Sequence, residues 1–207
     1  MKRRIWLQLV LAMTAIALSA PAMARPKAKT DHELRLGQLI SSVRYGQDLS
    51  ALTYMDGEAQ AKVLLGAAWE TGTPEQRTEF VRLFHHIFAG IAFPKMRENF
   101  QHLTTITYSP LEQKGELAEV GSVIHIQAGP KEQELKVHYV LSKSAAAELR
   151  VVDVTVQGDK PMLTNIRDDQ VQPILKEGGW AMLLKEMKAR AADFPVPADK
   201  AGTAPPN

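Results

Sequence analysis

Residues 116–143 read ELAEVGSVIHIQAGPKEQELKVHYVLSK, two β-branched runs joined across Gly129 and Pro130, and this pairing decides the fold class. Side chains alternate across a strand, so Val120, Ile124 and Ile126 share one face of the first run. Leu135, Val137, Tyr139 and Leu141 form a similar face on the second. The same period of two extends outward, to HLTTITYS at 102–109 and to AELRVVDVTVQG at 147–158. In the last run Val152, Val154 and Val156 point one way, and Val151, Asp153 and Thr155 the other. Short connections make these four runs an antiparallel meander with one apolar face.

Helical periodicity flanks the meander on both sides. DHELRLGQLISSVRYG places Leu36, Leu39, Ile40 and Val43 on one face. DGEAQAKVLLGAAWETG reads as a second helix, capped by Asp56 and stopped at Thr71-Gly72. TPEQ at 73–76 combines a threonine cap, proline at the first helical position and Gln76 three residues on, a capping box. The helix it opens carries Phe80, Leu83, Phe84, Ile87, Phe88 and Ile91 on one side, and Pro94 is expected to end or kink it. His85 is read as a boundary residue and His86 as solvated. After the strands, DDQVQPILKEG and GWAMLLKEMKARA predict two more helical pieces, the second with Trp180, Leu183, Leu184 and Met187 inward. PVPADKAGTAPPN at 195–207 reads as a disordered Pro-rich tail. The fold class is therefore α+β: a curved antiparallel sheet of about four strands, covered on one face by helices. Periodicity alone leaves open whether that pairing closes solid or encloses a cavity.

The first residues set the compartment. MKRR followed by IWLQLVLAMTAIAL and Ala22-Met23-Ala24 has the basic start, short apolar run and small-residue site of an export signal. Cleavage after Ala24 is expected, leaving residues 25–194 as one domain ahead of the tail. The segment 1–24 holds three basic residues and no acid, so its loss turns 25 basic against 23 acidic residues into 22 against 23, a net charge of −1. The mature chain thus has no basic excess, and no basic stripe with interleaved aromatics argues for nucleic acid. With no cysteine, an exported chain must be held by its core alone, and its length suffices for that.

Motifs for a nucleotide site, a zincin or an α/β-hydrolase are absent. His85 and His86, adjacent on a helix, diverge by about 100° and make a poor metal pair. His125, His138 and Asp153 point to the face opposite the apolar rows, where a polar outer surface is the ordinary arrangement. Asp168 and Asp169 sit where acids complement a helix dipole. An enzyme would need an ionisable group inside a cavity, with Tyr139 the candidate partner for a pocket acid. The rows assigned inward hold no acid. An adaptor with a solid core is the third alternative.

In order along the chain, GAAWETGTPEQRTEFVRLF, the strands, and then VVDVTVQGDKPMLTNIRDDQVQPILKEGGWAMLLKEMK resemble the toluene-tolerance or MlaC family, periplasmic lipid shuttles of the maintenance-of-lipid-asymmetry system. The resemblance spans roughly residues 34–190. It rests on TPEQRTEF with Phe84, and on Asp153-Val154, Gly158, Thr164-Asn165, Arg167, Ile174 and Gly178. It implies an NTF2-like fold whose interior takes phospholipid acyl chains, with no cofactor, metal or catalytic residue. Under it, Phe84, Phe88, Ile124, Ile126, Val137, Tyr139, Leu141, Val152 and Val154 are the expected lipid-binding wall, and the Asp153 face meets solvent or a partner. The implied partners are an inner-membrane ABC lipid transporter with an MCE-domain subunit, and an outer-membrane lipoprotein–porin complex. The implied task is carriage of lipid between the two membranes. Phe93 and Ile166 stand where tyrosines are expected and Gln170 near an expected aromatic, which leaves glycerophospholipid and polycyclic lipid both open.

Overall fold

The computed structural model describes residues 28–144 and 147–200; the expected leader and its cleavage site lie outside this range. Five helices come first: α1 Asp31–Arg44, α2 Asp48–Thr53, α3 Gly57–Leu65, α4 Ala68–Thr71 and α5 Pro74–Phe100. The sheet follows, with β1 Leu103–Tyr108, β2 Glu112–Lys114, β3 Leu117–Ala128, β4 Lys131–Lys143 and β5 Leu149–Val156. The chain then returns to helix in α6 Met162–Ile166, a π-helical turn Arg167–Val171, and α7 Gln172–Ala191. The architecture is α+β with an antiparallel sheet in the order β1-β3-β4-β5, and the short β2 pairs with β3 beyond the end of β1. Strand β2 has no apolar alternation to announce it. It continues the β1 edge after Pro110, which cannot donate to a ladder and so interrupts the pairing.

The register brings the apolar rows together as the alternation requires. Ile124 lies opposite Leu135, Ser122 opposite Val137, Val120 opposite Tyr139 and Ala118 opposite Leu141. Val154 and Val156 extend those rows, opposite Tyr139 and Val137. A bulge then intervenes: Asp153 pairs with Val140 but Val151 pairs with Leu141, so Val152 is the extra residue. An inserted residue shifts every later side chain to the other face. Val151 therefore joins the apolar row it was expected to oppose, and both Val151 and Val152 are buried.

The capping box of α5 forms as the sequence requires. Gln76 N–H donates to Thr73 Oγ1 at 3.2 Å, and Thr73 N–H to Gln76 Oε1 at 2.9 Å. The helix runs on through Pro94 instead of ending there. Pro94 is exposed, so its ring meets no packed neighbour and only one helical amide bond is lost. Phe93 and Phe100 are buried on either side of it, and Arg97 is ion-paired with Asp48 at the α2 start. These anchors outweigh the lost bond. The expected second helix divides at Gly66, whose φ of 55° breaks α3 from α4.

The tail departs from expectation over its described part. Residues 195–200 are placed against the α1–α2 corner: Asp199 accepts from Ser50 N at 2.9 Å and Ser50 Oγ at 2.6 Å. Asp48 N–H and Gln47 Nε2 donate to the Ala198 and Lys200 carbonyls. His86, expected to be solvated, instead donates from Nε2 to the carbonyls of Phe194 and Pro195 at 3.1 and 2.9 Å. A Pro-rich composition removes some amide donors but not acceptors; carbonyls and Asp199 make most of this strap's contacts, and the Lys200 amide adds one to the Gly46 carbonyl at 3.2 Å. Residues 201–207 lie outside the described range.

Candidate functional site

Between α5 and the α6–α7 segment lies a groove of about 540 Å³. One wall is the α5 face Phe84, Ile87, Phe88, Ile91 and Ala92. The other is Met162, Ile166, Val171 and Ile174, closed off by Leu183 and Met187 of α7. Its polar lining is confined to Gln170, Glu186 and Arg190. That volume falls within the range of ligand pockets, as does the pattern of an apolar lining with few polar groups.

Two backbone irregularities interrupt the α6–α7 side of the groove. Arg167–Val171 forms a π-helical turn, a feature that recurs at functional sites. At Gly179, φ is 61° and ψ −157°, a conformation open essentially to glycine alone. This break bends α7, so that its two halves do not follow one axis along α5. Trp180, the next residue, anchors the bend: its indole N–H donates to the Ala68 carbonyl at 3.1 Å and its ring meets Phe80 edge-on at 6.2 Å. Gly72 permits that approach, since a Cβ there would lie 2.5 Å from the indole. The GTPEQ and GGW stretches, over a hundred residues apart, are therefore two sides of one joint.

The α5 rings form a ladder that passes from core to groove. Phe80 and Phe84 stack at 6.3 Å, Phe84 and Phe88 are 5.8 Å apart, and Phe88 meets Phe93 edge-on at 5.6 Å. Phe80 and Phe93 are fully buried, while Phe84 and Phe88 keep 6% and 8% exposure, all that the groove admits. Phe84 and Phe88 are thus the two expected wall residues that border this groove. Ile124, Tyr139, Leu141 and Val152 are buried in the packed core, with Ile126 and Val154 half-buried against it. Val137 borders a different, open pocket of about 490 Å³ that crosses β1, β3, β4 and β5, together with Tyr108, Gly121 and Gln157. Ile166 and Gln170, noted as departures from the family pattern, both border the groove, whereas Phe93 is in the core. Ile87, Ile91, Ile166, Ile174 and Met187 carried the helical signal of a buried face, and nothing local told which part of that face would stay uncovered.

The titratable groups fall outside the groove or at its edge. Asp153, expected on the solvent face, is buried, and its carboxylate accepts from Val154 N at 2.7 Å and Leu163 N at 3.1 Å. It fastens the start of α6 to β5, and burial pushes its carboxyl above the usual range against those amide bonds. His138 lies 3.5 Å from Glu119, and His125 lies 3.2 Å from Glu132. His138 faces Gly121, four positions along β3 from His125, a separation of about 13 Å, so His125, His138 and Asp153 do not come together although they were expected on one face. Tyr139 has its hydroxyl within 3.4 Å of Ser122 Oγ, and burial pushes its pKa up to about 12. A phenol so held is protonated at neutral pH and poor as a base. His85 Nε2 pairs with Gln60 Oε1 at 2.9 Å, and burial, opposed by the nearby Asp56, lowers its pKa to about 4. Asp168 pairs with Arg167 at 2.8 Å on the surface. Among the described residues no group of three His, Cys, Asp or Glu could hold a metal ion. Among them, too, no helix is long and apolar enough to cross a membrane.

Comparison with protein families matches residues 44–189 to the family described as MlaC protein. Among solved structures, the chain is similar to a phospholipid-binding protein from Ralstonia solanacearum, determined in complex with a phospholipid. The two share 16% identity with a TM-score of 0.64, over 80% of this chain and 98% of that one. No curated protein matches the chain. At that identity the structural likeness carries the fold, and the family match carries the descent.

Proposed function

The chain belongs to the MlaC family, and from that premise we propose that it is a non-enzymatic carrier that holds the acyl chains of a phospholipid in the α5–α7 groove. The observation that carries this reading is the groove itself, about 540 Å³ of apolar wall with its polar groups only at the edge. The similar Ralstonia protein binds a phospholipid on the same fold, which supports the ligand class.

Two acyl chains with about 30 methylenes represent roughly 24 kcal/mol of burial at about 0.8 kcal/mol each. Such chains cannot cross water uncovered. A bilayer offers them an equally apolar home, so a carrier whose groove matches the membrane exchanges lipid near balance and needs no energy source of its own. Direction must come from partners. In this reading the signal at residues 1–24 delivers the protein to the periplasm, where it moves lipid between the outer and inner membranes. There it meets a lipoprotein–porin complex at one membrane and an MCE-domain ABC transporter at the other.

The tails enter beside Phe84 and Phe88. Longer chains reach the sheet rows, Ile124 and Ile126 on β3, Val137, Tyr139 and Leu141 on β4, and Val152 and Val154 on β5, by parting the helices from the sheet. The Asp153–Leu163 tie makes β5 and α6 move together when that happens. A vesicle exchange assay with tail-labelled phospholipid tests the reading. Label should pass to the mature protein in stoichiometric amount and from it to unlabelled vesicles; a folded protein that takes up no label refutes it.

A further inference from the structure

The groove edge carries charge unevenly. Arg190 and Glu186 both border it, one helical turn apart on α7. Arg190 is already engaged, its Nη1 donating to Asp193 Oδ2 at 2.9 Å and its guanidinium lying 4.8 Å from the Phe194 ring centroid. Glu186 is exposed and makes no ion pair or side-chain hydrogen bond among the described residues. The other charged residue of the lining, Arg190, is thus paired locally, and Lys188, two residues on from Glu186, pairs with Glu79 at 3.6 Å. The opposite wall offers Ile87, Ile91, Met162 and Ile166, with no charge at all. A ligand whose tails fill this groove must bring its polar end to an edge where the one uncommitted charge is a carboxylate.

We propose that Glu186 selects the headgroup, favouring a phospholipid that carries an amine over one whose headgroup is anionic overall. The inference rests on the carrier reading above. An ammonium group placed at the edge meets the Glu186 carboxylate. The adjoining phosphate meets N–H donors that remain on Arg190, which has five and gives one to Asp193, and on the Gln170 amide. A headgroup with only the phosphate charge meets the same donors but gains nothing at Glu186, and its net charge is repelled there. Because the edge is wet, the effect is small: ion pairs of this kind support a preference of about two- to five-fold, weakening as salt screens it.

The test uses vesicles of equal parts phosphatidylethanolamine and phosphatidylglycerol, incubated with the mature protein, with both bound lipids quantified by mass spectrometry after re-isolation. The expected result is a two- to five-fold enrichment of the ethanolamine lipid, near parity for Glu186→Gln, and inversion for Glu186→Arg. The ratio of the two lipids on one preparation is the readout, and thermal melts check that each variant is folded, as expected for substitutions at an exposed edge residue. Parity in the unsubstituted protein, or an enrichment that Glu186→Gln leaves unchanged, overturns the headgroup inference while the carrier reading stands. Folded protein with no bound lipid of either kind overturns both.

Discussion

Replacing Ala92 by phenylalanine separates an open groove from a packed core by the sign of its effect. Ala92 sits on the groove wall, one residue before the buried Phe93. In a closed interior a large side chain forced in at such a site costs about 1–3 kcal/mol. In a groove of about 540 Å³ the ring instead finds Phe88, Ile166 and Met187 across empty space. A phenyl group that covers about 100 Å² of those walls gains about 2.5 kcal/mol at about 25 cal/mol per Å². Ordering the side chain and the lower helix propensity of phenylalanine reduce this to about 1 kcal/mol. For a domain of this size that raises the melting temperature by about 2–4 °C. The same ring occupies space meant for acyl tails, so lipid uptake should fall at least several-fold. Thermal melts of delipidated protein and labelled-lipid uptake are measured on one preparation. A melting temperature several degrees lower would refute the open groove, and unchanged uptake by a stabilised variant would refute its role in holding tails.

Four further outcomes follow from the same geometry. Phe80→Ala removes a ring that is fully buried between Phe84 and Trp180 and should cost about 3–5 kcal/mol in denaturant titration. Gly179→Ala forces a Cβ into a backbone region that L-residues avoid and should cost about 1–3 kcal/mol, with lipid uptake reduced because the bend in α7 shapes the groove. Gly90→Ala would bring a methyl within 2.5 Å of the Phe194 ring, so hydrogen exchange at residues 194–200 should accelerate while the α5 core stays protected. His85 takes up its proton at a pH of about 4 when folded and near 6.5 when unfolded. The unfolded chain thus binds more protons between those values, stability rises with pH across that window, and it is lost as pH falls through it. His85→Gln should flatten that part of the stability curve.

The sheet rows were legible because alternation is local: Ile124, Leu135, Val137 and Tyr139 announce their face in their own strands, and register with one another follows from burying it. The capping box at Thr73 was legible for the same reason. The bulge at Val152 was not, since VVDVTV alternates without a break from Val152 onward and only the pairing with Val140 and Leu141 shows where the extra residue sits. Pro94 does not end the helix, one of the two expected outcomes, because its cost is local whereas the anchors that outweigh it, Phe93, Phe100 and Arg97, act through the rest of the fold. The groove lay further still from the sequence. A stripe such as Phe84, Ile87, Phe88 and Ile91 has one period whether it is covered or left open, and the segment facing it carries a positive-φ glycine and a π turn that two regular helical pieces did not announce. Expecting the strap at 195–200 to be disordered had a similar cause, because its contacts, mostly carbonyls and Asp199, meet a corner formed some 150 residues earlier.

Lipid extraction from the mature protein, purified without detergent from the periplasm, followed by mass spectrometry of extract and intact complex, tests the central claim most directly. The account predicts a phospholipid in near-stoichiometric amount, lost when Ala92→Phe fills the groove. Folded protein that is lipid-free in repeated preparations, and that remains so after incubation with vesicles, would contradict it.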